Sequence, residues 1–292
     1  MRNIENQMSK NVVQIVGKVL DATVAEGTTK AGKPYARANV TVRVVQTLNG
    51  KTDTNEIVVP FFSSQYTNNN TINPAFDGIQ KLKHIKTAQL HGIEEADTIA
   101  IRKGSLRENN FVSKNTGSVI NSWQLSSSFY SIGGGNDLAC FQVEIFIMDM
   151  HDEIDRDGDP TGRLIIKGGI VQYAGRLDVV EFVVEDPECV DFISRNWNIN
   201  DTVEADGFIR VTSREVEAPT SSWGQPVPES TPRFVRELII TSGSDCGYEE
   251  DLAYDATDIR KAFQVRKATI DQMMQDAKKP AAKPKTSNMD WE

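Results

Sequence analysis

"GKPYARANVTVRV", residues 32–44, opens on turn formers and then alternates without a break. In an extended chain Ala36, Ala38, Val40, Val42 and Val44 fall on one side, and Tyr35, Arg37, Asn39, Thr41 and Arg43 on the other. One side is small and apolar, suited to a core. The other carries two guanidinium groups and a phenol ring, which makes it a strand with a purposeful outer face. Upstream, "NVVQIVGKVLDA" (residues 11–22) alternates in the same way and reaches this strand through a loop punctuated by Gly27, Gly32 and Pro34. Downstream, "NEIVVPFF" (55–62) supplies a third strand, with Phe61 directed inward and Phe62 outward.

A polar stretch, "SSQYTNNNTINP" (63–74), leads to residues 76–91, where Phe76, Ile79, Leu82, Ile85 and Leu90 recur at helical spacing. Two further strands follow, from Ile99 and through Leu125, joined by a Lys-Asn-Thr-Gly turn at 114–117. The order is three strands, a helix, two strands. It recurs over residues 140–243: strands in "CFQVEIFIMDM", "RLIIKGGIVQY" and "RLDVVEFVVED", a short helix in "PECVDFISRNW" with Pro187 in its first turn, then strands in "DTVEADGFIRVTS" and "RFVRELIITSG". "GGG" at 133–135 reads as the linker between the copies. After "SDCGYEEDLAYD" (244–255), an acidic linker, residues 256–279 read as a helix with Thr257 as N-cap and Ile259, Phe263, Ile270, Met273 and Met274 near one face. A Pro/Lys-rich tail closes the chain and is expected to be disordered.

Composition narrows the function. With 292 residues, 39% apolar and 25% charged, the chain has room for two cores and lacks any run long enough to span a bilayer. Three widely spaced cysteines without C-x-x-C, and an N-terminus without an apolar signal core, point to the cytoplasm. Net charge is −9, but residues 1–136 carry +5, residues 137–243 carry −12 and residues 244–292 carry −2. The footprint for a polyanion is confined to the first segment. "EIDRDGD" (153–159) imitates a calcium loop, but its twelfth position is Leu164 and its flanks are strands, so it reads as a solvated turn. No nucleophile–base pair or metal cluster stands out, and no cofactor is implied.

Three strands, a helix and two strands describe an OB-fold, a five-stranded barrel. "NVVQIVGKV" followed by "GKPYARANVTVRV" resembles the opening hairpin of bacterial and phage single-stranded DNA-binding proteins. "ADTIAIRKGSLRENNFVSKNTGSVINSWQL" (96–125) resembles the fourth and fifth strands of the same family. The second copy resembles the fold by topology alone.

The fold class expected is therefore mainly β: two OB-fold-like barrels in tandem, residues 1–136 and 137–243, followed by a linker, helix and tail over 244–292. The resemblance implies a non-catalytic protein that shields exposed single-stranded DNA in replication or recombination, in the cytoplasm of a bacterium or of a phage's host. Lys30, Lys33, Arg37, Arg43, Arg102, Lys103, Arg107 and Lys114 would meet phosphates, and Tyr35, Phe62, Phe111 and Trp123 would stack on bases. In the second copy Arg210, Arg214, Trp223 and Arg233 could form a smaller basic cluster. The closing Met289, Asp290, Trp291 and Glu292 resemble the acidic and apolar tips by which family members recruit replication or recombination proteins. The alternative is a structural or interaction protein, such as a virion or scaffold component, that uses the barrels as architecture.

Overall fold

The computed structural model describes residues 1–278 apart from 30, 49, 68, 114, 115 and 216–231. The first barrel is built from β1 (Asn11–Thr28), β2 (Pro34–Leu48), β3 (Lys51–Ser64), β4 (Thr98–Glu108) and β7 (Trp123–Ser126). β1 pairs antiparallel with β2 and with β4, β2 with β3, and β4 with β7. The ring closes where Phe61 of β3 bridges in parallel to Ser127, just past β7. A small ribbon, β5 (Phe111–Val112) and β6 (Val119–Ile120), projects between β4 and β7, and β8 (Ser131–Ile132) adds to the outer edge of β4.

The second barrel repeats the circuit with β9 (Leu138–Ile154), β10 (Pro160–Val171), β11 (Leu177–Val184), β12 (Thr202–Glu215) and β13 (Pro232–Gly243). β9 pairs antiparallel with β10 and β12, β10 with β11, and β12 with β13. Its closing contact, Val183↔Ile239, is again parallel. Both rings follow the expected tandem OB-like topology.

Helices fall between the third and fourth strand of each barrel. α1 (Pro74–Lys81) starts at Asn73, whose Oδ1 accepts from the Ala75 amide at 3.1 Å, and it buries Ala75, Phe76 and Ile79. The single helix expected over 76–91 is broken: a 3₁₀ turn covers 82–84, Ile85 is extended, and α2 (Ala88–His91) is a separate turn that leaves Leu90 78% exposed. α3 (Pro187–Asn196) is capped by Asp186, which accepts from the Glu188 and Cys189 amides. α4 (Ala256–Lys278) is capped by Asp255, whose Oδ1 accepts from the Thr257 amide at 2.7 Å, rather than by Thr257 itself. Among the described residues no helix is long and apolar enough to cross a membrane.

The barrels are not beads on a linker. β1 pairs antiparallel with β9 from Asn11↔Val143 to Val16↔Leu138, so the two first strands form one seam and one apolar core runs through both rings. The triple glycine lies by this seam: the Gly133 amide donates to the Thr98 carbonyl, and a Cβ on Gly134 would come within 2.8 Å of Val16. The acidic 244–255 segment is also packed, with Ser244 accepting from the Trp197 indole at 2.9 Å and Tyr254 only 2% exposed. Gly17 sits where β1 leaves the seam to join β2; a Cβ there would lie 2.2 Å from the Arg43 carbonyl oxygen, a contact no side chain tolerates.

Two amide side chains finish the junction. Gln46 donates to the Ile209 carbonyl at 2.9 Å and accepts from the Ala139 amide at 3.0 Å. Asn55, fully buried in β3, accepts from the Val211 amide at 2.8 Å. Asn55→Ala strands that amide in the core and should destabilise the chain by about 1–3 kcal/mol. Denaturant unfolding checks this: the midpoint falls while the two barrels still unfold together.

Candidate nucleic-acid interface

Strand β2 is laid out as its alternation required. Ala36, Ala38, Val40, Val42 and Val44 are all buried, and the opposite side of β2 faces out. Register sets its neighbours: Arg37 lies between Ala25 of β1 and Phe62 of β3, Asn39 opposite Pro60, Thr41 opposite Val58, and Arg43 between Lys18 and Glu56. Phe62 is 55% exposed, and its ring centroid lies 5.4 Å from that of Tyr35, the planes tilted by 32°. The Tyr35 ring rests across Gly27, where a Cβ would come within 2.7 Å of it. A side chain there would lift the ring off the sheet.

Arg37 is exposed and forms no salt bridge among the described residues. Lys33 stands exposed in the short turn before β2, a turn closed by Thr29, whose amide donates to the Lys33 carbonyl and whose Oγ1 accepts from the Lys33 amide. Arg43 is half-buried, its Nε without a hydrogen-bond partner among the described residues. The structure thus groups Lys33, Tyr35, Arg37, Arg43 and Phe62 on one face. Two flat surfaces and unpaired cations on a rigid sheet suit a ligand with planar rings and anionic linkages.

The remaining candidates are placed elsewhere. In β4 the partners run Ile15↔Ile101 and then Val13↔Gly104, so β4 holds one residue more than β1. That bulge turns both Arg102 and Lys103 outward, on the far side of β1 from β2. Arg107, expected on the phosphate path, turns toward the second barrel: it donates to Gln172 and lies 3.9 Å from Asp178. Burial holds its guanidinium below the usual arginine range and pushes the Asp178 carboxyl up. Phe111, 44% exposed, pairs with Ile120 in the β5–β6 ribbon, which emerges at the seam end of the barrel and contacts α4. Trp123, expected as a stacking platform, is instead 8% exposed beneath the Arg236 guanidinium, 4.4 Å from the ring centroid. Lys30, Lys114 and Met289, Asp290, Trp291 and Glu292 lie outside the described residues, as does Trp223.

Two rings were not anticipated. Tyr66 and Phe129 are 47% and 61% exposed beyond the Tyr35 end of β3. Tyr66 keeps the strand parity of Phe62, a signal hidden in the sequence by its polar surroundings. Phe129 follows the Phe61–Ser127 bridge and had no periodic signal at all. The calcium-like turn is a backbone device: Asp155 Oδ1 accepts from the Asp157 and Asp159 amides at 2.9 Å each. Among the described residues no group of acids, histidines or cysteines is placed to hold a metal.

The model of the family described as YorF matches residues 10–276. No curated protein matches the chain. Among solved structures, a deletion mutant of the single-stranded DNA binding protein from Thermus aquaticus aligns with a TM-score of 0.50 and 13% identity, over 85% of this chain and 98% of that one. The wild-type protein from the same organism aligns with a TM-score of 0.49 and 13% identity, over 86% and 98%. At that identity the first likeness establishes a shared fold.

Arg210, a candidate cation of the second barrel, is committed within the molecule. Arg210 is 7% exposed and binds Glu185 through two nitrogens, at 2.7 and 2.9 Å, with Asp53 at 3.1 Å and Glu237 at 3.3 Å. Its hydrogen bonds hold the Glu185 carboxyl below the usual glutamate range. Because that carboxyl is more acidic folded than unfolded, its stabilisation is present above the unfolded pKa and is lost as pH falls through the lowered folded value. Arg210→Met should therefore cost about 3–5 kcal/mol at neutral pH, with the gap from the parent narrowing in acid. Unfolding midpoints across an acid series measure both effects.

Proposed function

We propose that this chain, which belongs to the YorF family, binds single-stranded DNA on the outer face of β2 and β3 in its first barrel. The observation that carries this reading is the Tyr35–Phe62 pair, open to solvent with Arg37 beside it and Lys33 at its rim. Exposed rings cost solubility, and neither they nor unpaired cations strengthen the core. A strand of unpaired bases accounts for both at once: rings stack on bases of any identity, and cations release counterions from phosphates. The likeness to a fold that carries this activity in Thermus aquaticus supports the same reading.

In this scheme residues 1–136 form the binding module and residues 137–243 an acidic supporting module, followed by the linker, helix and tail of 244–292. Binding shields exposed strands during replication or recombination, without catalysis, in the cytoplasm of the cell that makes the protein. The closing Met-Asp-Trp-Glu offers a short acidic and apolar tip to replication or recombination proteins.

Anisotropy of labelled oligothymidylate tests this directly. Binding should saturate, and its affinity should fall with salt at a slope of about −0.7 per phosphate neutralised. Arg37→Ala should reduce that slope by about 0.7. Phe62→Ala should weaken binding by about 1–3 kcal/mol with the slope unchanged. Absence of saturable binding at low salt overturns the reading.

A further inference from the structure

The two barrels treat the same face in opposite ways. The second and third strands of the first barrel, β2 and β3, leave their outer side open to solvent, polar along β2 and carrying Val58, Pro60 and Phe62 along β3. Their counterparts, β10 and β11, show an apolar one, where Gly169 pairs with Val179 and Val171 with Leu177. Val171, Leu177 and Val179 are nonetheless only 1%, 2% and 8% exposed, because the chain's own ends lie over them. Ile4 from the N-terminal segment, Tyr254, and Ile259 of α4 form a second apolar cluster on this face with Phe146 of β9, and Ala262 and Phe263 pack against it.

α4 is also fastened beyond the face it covers. Arg266 donates through Nε to both carboxylate oxygens of Glu108, at 2.8 and 2.9 Å, and through a second nitrogen to one of them. Both side chains are nearly buried, 14% and 10% exposed. Glu108 ends β4, at the base of the β5–β6 ribbon. One helix therefore caps the second barrel and anchors the hairpin of the first. The part of the β10–β11 face it leaves open is a cleft of about 610 Å³ where Glu153, Glu181 and Glu237 meet Lys167, Arg236 and Arg266, cations already set against Glu181, the Trp123 ring and Glu108.

We propose that α4 is a built-in occupant of the second barrel's strand face: a strap that keeps this barrel from taking polynucleotide and pins the β5–β6 hairpin against it. The proposal rests on the reading of the first barrel as the binding module, and it divides the labour between the rings. The first meets the strand. The second serves as a platform whose equivalent surface is already filled.

Amide hydrogen exchange on the full chain, free and with oligothymidylate, tests the strap. In the free protein α4 up to Arg266 and strands β10 and β11 should be protected together. Added oligothymidylate should protect β1–β3 and leave α4 and β10–β11 unchanged. Arg266→Glu should speed exchange in the β5–β6 hairpin and in α4 by at least about tenfold while changing Kd less than about twofold, and Glu108→Arg added to it should restore protection. Unprotected α4 amides in the free protein, or oligothymidylate that protects β10–β11 while releasing α4, overturn the strap. Protection of α4 in a chain that oligothymidylate nowhere protects removes the functional reading and the division of labour with it, which separates the two failures.

Discussion

Everything in this molecule is referred to the antiparallel seam between β1 and β9. Each is the first strand of its barrel, and each is long enough to pair at the seam with one half and to open its own ring with the other. The backbone groups of Asn11–Val16 and Leu138–Val143 thereby meet partners in the opposite barrel, so each closed ring is paired along one strand with the other. Gly17 makes the arrangement possible, since the bend into β2 passes too close to the Arg43 carbonyl for any side chain. Gln46, Asn55 and Arg210 then satisfy the polar groups that the seam takes out of water.

The seam also decides which surfaces remain available. It brings the end of β4 and the ribbon beyond it against the second barrel, where Arg107 and Glu108 find Gln172, Asp178 and Arg266. Cations that a lone barrel would show to solvent become ties between barrels. At the opposite end of β2 and β3, among the described residues, nothing is packed over Arg37 and Phe62. The proposed interface is thus defined as much by what the second barrel covers as by what the first one carries.

The two strand faces illustrate how composition sets this division. A β-strand buried on one side needs polar residues on the other unless a further layer covers it. β2 meets the first condition with Arg37, Asn39, Thr41 and Arg43. β10 and β11 carry glycine, valine and leucine at matching places and meet the second, through Ile4, Tyr254 and α4. Negative charge is concentrated in the covered ring, so the electrostatic asymmetry and the packing asymmetry coincide.

Local pattern alone determined the strands, the recurrence of the three-strand, helix, two-strand order, and the outward course of Tyr35, Arg37, Arg43 and Phe62, because a period of two is a property of each strand by itself. It also placed Ile259 and Phe263 on the buried side of the last helix. It could not tell that Trp123 would lie under Arg236, that Arg107 and Arg210 would be spent on carboxylates, or that residues 244–255 would pack rather than link. The arginines meet partners 25 to 157 positions away in the chain, and residues 244–255 meet Trp197, Thr202 and Arg2, contacts that only the folded barrels bring near. A side chain's direction is written in its own strand; what it meets there is settled by tertiary packing, since contact energies act between surfaces that no local pattern brings together.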